Sequence, residues 1–179
     1  ERDLETVKDV GDYRPTELIQ AIGALNQGVD FRGRKLRVPT AFCVGGTMDL
    51  GQIDLEREAR RVQRKVAAGA DFFITQAFYD VAIAKRFLDI YHTLAGQEFP
   101  LPIFYGLQIL EKDGIIFGDV PEATKLDLER GRPATDIALE QLHAYIENGF
   151  TNVYVVSPIL RGGRRNYQAA GELLEAFRR

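Results

Sequence analysis

Three sets of side chains have the types and spacing to do chemistry. The first lies in "AGADFFITQAFYD", residues 68–80, where a helix ends, a short apolar strand follows and another helix begins. Thr75 and Gln76 stand where that strand runs out, two uncharged polar groups at the end of a buried segment. A glutamine amide offers both donors and an acceptor, so Gln76 suits a polar planar ligand as well as the plainer task of bonding a loop or capping a helix. Thr75 reads as a local hydroxyl that bonds backbone and supports its neighbour. The second set sits on the preceding helix. Glu58 and Arg61 fall on one face, one turn apart, and Arg64 and Lys65 close the helix. Basic groups there complement the helix dipole, and they could equally meet an anion. The third set is "ILRGGRRNY", residues 159–167, with Arg161, Arg164 and Arg165. Guanidinium forks hold carboxylates and phosphates well, although a solvated charged loop is an equally good reading of Arg164 and Arg165.

Other candidates are weaker. Cys43 is expected mid-strand as a small core residue. His92 and His143 fall on helices as surface or packing residues, and no Cys/His cluster or HExxH spacing suggests a metal. No GxGxxG follows a strand, so a Rossmann cofactor site is not expected.

The elements that must position these groups alternate along the chain. Residues 1–14 are a polar lead-in, and residues 15–179 read as a single α/β domain. "PTELIQAIGALNQG" carries Leu18, Ile22 and Leu25 on one helical face and ends at Gly28. "VPTAFCVGG" predicts a buried strand near 40–45, with Gly45 and Gly46 able to admit a ligand close to the backbone. Asp54 and Asp80 are helix caps, Gly69 is a helix stop, and "LPIFYG" and "TNVYVVS" are further strands. Helices are expected near 121–130, 134–148 and 165–178. Short apolar strands alternating with amphipathic helices argue for a parallel sheet covered by helices. An open doubly wound sheet and a piece of a barrel fit that pattern equally.

Composition narrows the function. The 179 residues are enough for one domain with a core, and a net charge of −3 gives no basic excess for nucleic acid or an anionic membrane. One cysteine excludes an internal disulfide and makes a cytoplasmic setting the expectation. No apolar run approaches the roughly 20 residues of a membrane span. The chain opens on Glu1 instead of Met, which suggests a piece of something longer.

The join "KVAAGADFFITQAFYD", residues 65–80, resembles the flavin-dependent methylenetetrahydrofolate reductase family, including the reductase part of its bifunctional relatives fused to a homocysteine methyltransferase. "ELIQAIGALNQGVDFRG" (17–33), "FCVGG" (42–46), "DVPE" (119–122) and "VYVVSPILR" (153–161) match in the same order. The resemblance implies the C-terminal half, strands five to eight, of a (β/α)8 TIM barrel. It would then need its N-terminal half or a homo-oligomeric partner. The implied reaction is reduction of 5,10-methylenetetrahydrofolate to 5-methyltetrahydrofolate by NAD(P)H through FAD. The alternatives are a folate- or pterin-binding module without redox chemistry and a structural half-barrel.

The resemblance also implies roles. Gln76 would hold the pterin, and Arg161 the folate, with Gln108 and Phe117 beside it at the mouth. Lys65, with Arg64, Arg61 and Glu58, would meet the flavin's phosphate region, and Thr47 and Met48 would lie in the flavin loop after the strand. The sequence departs from the family at "TMDLGQID", which lacks the usual Pro, and at "LQILEKDGIIFGD" (107–119). The family's proton-donating Glu would lie in the part not present, and Gly11-Asp12 is not assigned as its flavin-facing Asp.

Overall fold

The computed structural model describes residues 13–30 and 32–178. The first twelve residues of the lead-in, Gly11 and Asp12 among them, lie outside the described residues. Ten elements follow in the order α1 (Pro15–Asn26), β1 (Gly45–Met48), α2 (Leu55–Ala67), β2 (Phe72–Ala77), α3 (Val81–Ala95), β3 (Ile103–Gln108), α4 (Glu122–Glu129), α5 (Ala134–Glu147), β4 (Val153–Val156) and α6 (Tyr167–Phe177). The start signals act as expected. Asp54 accepts from the Arg57 N–H and Asp80 from the Ala82 N–H, each meeting a donor that the first helical turn leaves open.

All strand pairs are parallel, and the spatial order β1-β2-β3-β4 repeats the chain order. Crossovers of one hand between consecutive parallel neighbours carry their helices on one face, and among the described residues no strand-order reversal occurs of the kind a doubly wound sheet requires. The α/β architecture is thus compatible with a barrel wall. Strand residues alternate accordingly. Phe73 and Thr75 of β2 are buried, and Phe73 joins Phe87, Tyr91 and Val62 of the helices in one core. Ile74 and Phe104 point the other way and stay 38% and 39% exposed.

The register between β2 and β3 breaks once. Ile74 faces Phe104 and Ala77 faces Gly106, so Thr75 and Gln76 together oppose Tyr105 alone. This is a bulge with its extra residue in β2.

Four expectations are corrected. β1 starts at Gly45 rather than near 40, because the Asn26 side chain takes both backbone groups of Phe42, with bonds of 2.8 and 2.9 Å, and ties that segment to α1. Cys43 therefore lies outside the strand and is exposed. On α1 the core residue is Ile19, while Leu18 is 48% exposed. Gly45 and Gly46 do not open the backbone to a ligand. Added Cβ atoms there would lie 2.5 Å from the Phe72 ring and 2.6 Å from the Phe73 ring, so these glycines make room for the neighbouring strand's aromatics.

Gly46→Ala is accordingly expected to force the fully buried Phe73 off its position. Overpacking of this kind costs about 1–3 kcal/mol, read as a lower urea midpoint at unchanged slope.

Candidate functional site

A cavity of about 730 Å³ opens at the C-terminal ends of β1 and β2, between the start of α1 and one face of α2. Gln76, Thr47, Glu58, Arg61, Arg64 and Lys65 all line it, joined by Arg14, Asp49 and Gln52. With Met48, which also lines it, seven of the residues singled out from sequence are thus brought to one place. Their convergence follows from two local facts. Strand alternation puts Gln76 on the face opposite Thr75 at the strand end, and helical spacing sets Glu58, Arg61 and Lys65 on the α2 face that looks back on β1. Among the described residues nothing hydrogen-bonds the Gln76 amide, so its donors and acceptor face the cavity free.

The α2 face is electrostatically organised around Glu58, only 4% exposed. Its carboxylate accepts the Asp49 N–H at 3.2 Å and pairs with Arg61 at 3.3 Å, which offsets the cost of burying the charge. Lys65 donates to the Thr47 carbonyl at 2.5 Å and lies 3.3 Å from its hydroxyl. Burial pushes the Lys65 ammonium below its ordinary pKa; the Glu58 charge partly opposes that shift and the Arg61 charge adds to it. Arg14, Arg61, Arg64 and Lys65 outnumber Glu58 and Asp49 around the cavity. In a chain of net charge −3 this local positive excess suits an anion.

A second cavity, about 690 Å³, lies on the other side of loop 49–54 and is lined by Asp54, Asp80 and Asp119 with Tyr79 and Arg86. The loop between the two is self-braced, Asp49 accepting from Gly51 N–H at 3.0 Å and from the Gln52 amide at 2.5 Å.

Other expected site residues are placed differently. Thr47 and Met48 line the cavity as the last two residues of β1, not from a loop after it, and Met48 is 1% exposed within the core. Gln108 ends β3 instead of lying beyond it, and its amide is committed to its own loop. It donates to the Ile115 carbonyl at 2.7 Å and accepts from the Phe117 N–H at 2.7 Å. Phe117 lines neither cavity. Arg161, Arg164 and Arg165 occupy an exposed turn after β4, shaped by Gly162 and Gly163 at φ near +83° and +82°, and they too line neither cavity. His92 and His143 are exposed, as expected, His92 lying 3.2 Å from Glu98.

Sequence reasoning passed over Arg14, Gln52 and Tyr154. Nothing in "DYRPTE" marks Arg14 as a cavity residue; only the docking of α1 brings it there.

A parallel sheet with a polar and cationic cavity at its strand ends has the layout of α/β proteins that carry their sites on the C-terminal face of the strands. The family model for methylenetetrahydrofolate reductase matches residues 11–111, more than half the chain, and the chain belongs to that family. No curated protein matches it. Among solved structures, an uncharacterized protein from Clostridium thermocellum, described as binding two copies of 5-methyl-5,6,7,8-tetrahydrofolic acid, is similar in fold. The TM-score is 0.53 at 18% identity, over 94% of this chain and 70% of that one.

An anion held in the 730 Å³ cavity would draw on a protonated Lys65. With its pKa below the ordinary 10.5, the charge is lost earlier as pH rises, so pyrophosphate affinity measured by calorimetry is expected to fall on the alkaline side before 10.5. Lys65→Arg should hold its affinity to higher pH, because a guanidinium stays charged. Lys65→Ala should weaken binding about tenfold at neutral pH, the size of one charge-assisted hydrogen bond.

Proposed function

We propose that the chain forms part of a folate-binding flavoprotein that reduces 5,10-methylenetetrahydrofolate to 5-methyltetrahydrofolate with NAD(P)H. One observation carries this reading: the free Gln76 amide and the α2 cations share a single cavity at the strand ends of a chain from this family. The relative of similar fold that binds methyltetrahydrofolate supports the folate side.

In this reading Gln76 pairs with the donor–acceptor edge of the pterin and fixes the ring's orientation, which is the main task a protein has when a cofactor carries the chemistry. The donor set of the cavity fits the phosphates of FAD. Lys65, Arg61 and Arg64 supply forked or point cations, and Glu58 holds Arg61 in place. When bound, FAD supplies the two-electron hydride chemistry between NAD(P)H and the folate's methylene carbon. Glu58 is tied up with Arg61 and the Asp49 N–H, so the acid that protonates the substrate belongs elsewhere. Arg161 would reach the folate only from the loop after β4, outside the cavity as it stands.

The sheet's second face supports a half-barrel. Phe72 and Phe104 meet edge to face at 5.8 Å there, and Ile74 and Phe104 are partly exposed beside open β1 and β4 edges. A (β/α)8 wall buries this face inside the barrel. Four further strands, on the same polypeptide or in a second copy, would cover it and bring the missing acid.

A second reading keeps the folate and drops the redox step, with the fold relative described only as a folate binder in its favour. Flavin absorbance separates the two. A yellow protein with a flavin band supports the reductase, whereas a colourless one that still binds 5-methyltetrahydrofolate supports the binding module. Gln76→Ala is expected to cost about tenfold or more in 5-methyltetrahydrofolate affinity at unchanged melting temperature, as loss of paired ring contacts implies. Unchanged affinity would remove Gln76 from the site. The 179-residue chain by itself is expected to show no NAD(P)H–folate turnover, and measurable turnover would overturn the half-barrel.

A further inference from the structure

We infer that Tyr154 on β4 is a positioning residue for Gln76, acting through the β2 bulge from two strands away. Tyr154 faces away from the helices, since its neighbours Val153 and Val155 pack on the core. Its ring crosses β3 at Gly106, and its hydroxyl donates to the Thr75 carbonyl at 2.5 Å. Gly106 has to be glycine for this to happen. A Cβ there would lie 2.8 Å from the Tyr154 hydroxyl and 3.1 Å from the Ala77 nitrogen. The Gly106 N–H in turn donates to the Thr75 hydroxyl oxygen at 2.9 Å, a buried bond across the register break. Both polar handles of Thr75 are therefore held, the hydroxyl from β3 and the carbonyl from β4.

A bulge leaves its extra residue without a ladder partner and frees it to rock. Here that freedom is removed one residue before Gln76. The Thr75 carbonyl belongs to the peptide plane it shares with the Gln76 nitrogen, so anchoring it sets the direction in which the Gln76 side chain leaves the strand. Tyr154 does not line the cavity. The influence inferred here passes through the Thr75 carbonyl.

This inference rests on Gln76 as the folate-orienting amide only for its effect on binding; the mechanical link is tested without any ligand. In the chain carrying Tyr154→Phe, the Gln76 side-chain amide resonances, assigned by their loss in Gln76→Ala, should shift in nitrogen–proton spectra. Hydrogen exchange at the Gly106 amide should also speed up. Thr75→Val, which removes the hydroxyl and keeps the shape, should produce the same exchange change from the other end and control for misfolding. An unmoved Gln76 amide in a folded Tyr154→Phe chain would overturn the inference. For binding, Tyr154→Phe should weaken 5-methyltetrahydrofolate by up to about tenfold, one hydrogen bond's worth, and should add no further loss to Gln76→Ala. Additive losses would place Tyr154 on a separate route and overturn the inference. If Gln76→Ala leaves folate binding intact, the folate reading fails, and the amide shift still decides the positioning role.

Discussion

The structure turns on one place where a parallel ladder is forced out of register. Thr75 and Gln76 oppose the single residue Tyr105, and the mismatch is absorbed at Gly106. That glycine gives its N–H to Thr75, lies with its carbonyl 3.1 Å from the Tyr145 hydroxyl, and leaves its missing side chain's space to Tyr154. Tyr145 also reaches the Phe78 carbonyl, at 2.5 Å, just past the bulge. Burial pushes the Tyr145 phenol well above its ordinary pKa, so it remains a neutral donor. A side chain from α5 and one from β4 thus clamp the same strand end from its two faces.

The cavity depends on this clamp and on a second, electrostatic arrangement. Glu58 is a buried carboxylate on a helix rich in arginine, and it organises the loop after β1 through the Asp49 N–H. Lys65 reaches across to the end of β1 at Thr47. Helix, strand end and loop are therefore locked by charged side chains whose remaining donors face the cavity. The arrangement ties the local fold together and turns positive charge toward the cavity, where burial lowers the Lys65 pKa.

Much of this was legible from residue order. The bulge strand, its two flanking helices and both aspartate caps follow from apolar periodicity and capping chemistry, and Glu58, Arg61 and Lys65 share a face because of helical spacing. Where reading along the chain failed, a partner distant in sequence had intervened. Asn26 captured Phe42 and moved the start of β1, which left Cys43 exposed. Gly45 and Gly46 looked like a ligand cradle, but their missing side chains serve Phe72 and Phe73 of the next strand. Gln108 looked like a free amide at the mouth, yet its loop folds back and consumes both ends.

What the sequence by itself determined is the list of elements, the parallel α/β class and the identity of the polar residues at the strand ends. These depend on local pattern, in which each residue answers to neighbours within a turn or a strand. Tertiary structure alone decided which of those polar groups are spent internally and which are left open to the cavity. It assigned Gln108 to its loop, Thr75 to the clamp and Gln76 to the cavity, because hydrogen-bond partners across strands are set by register and not by sequence separation.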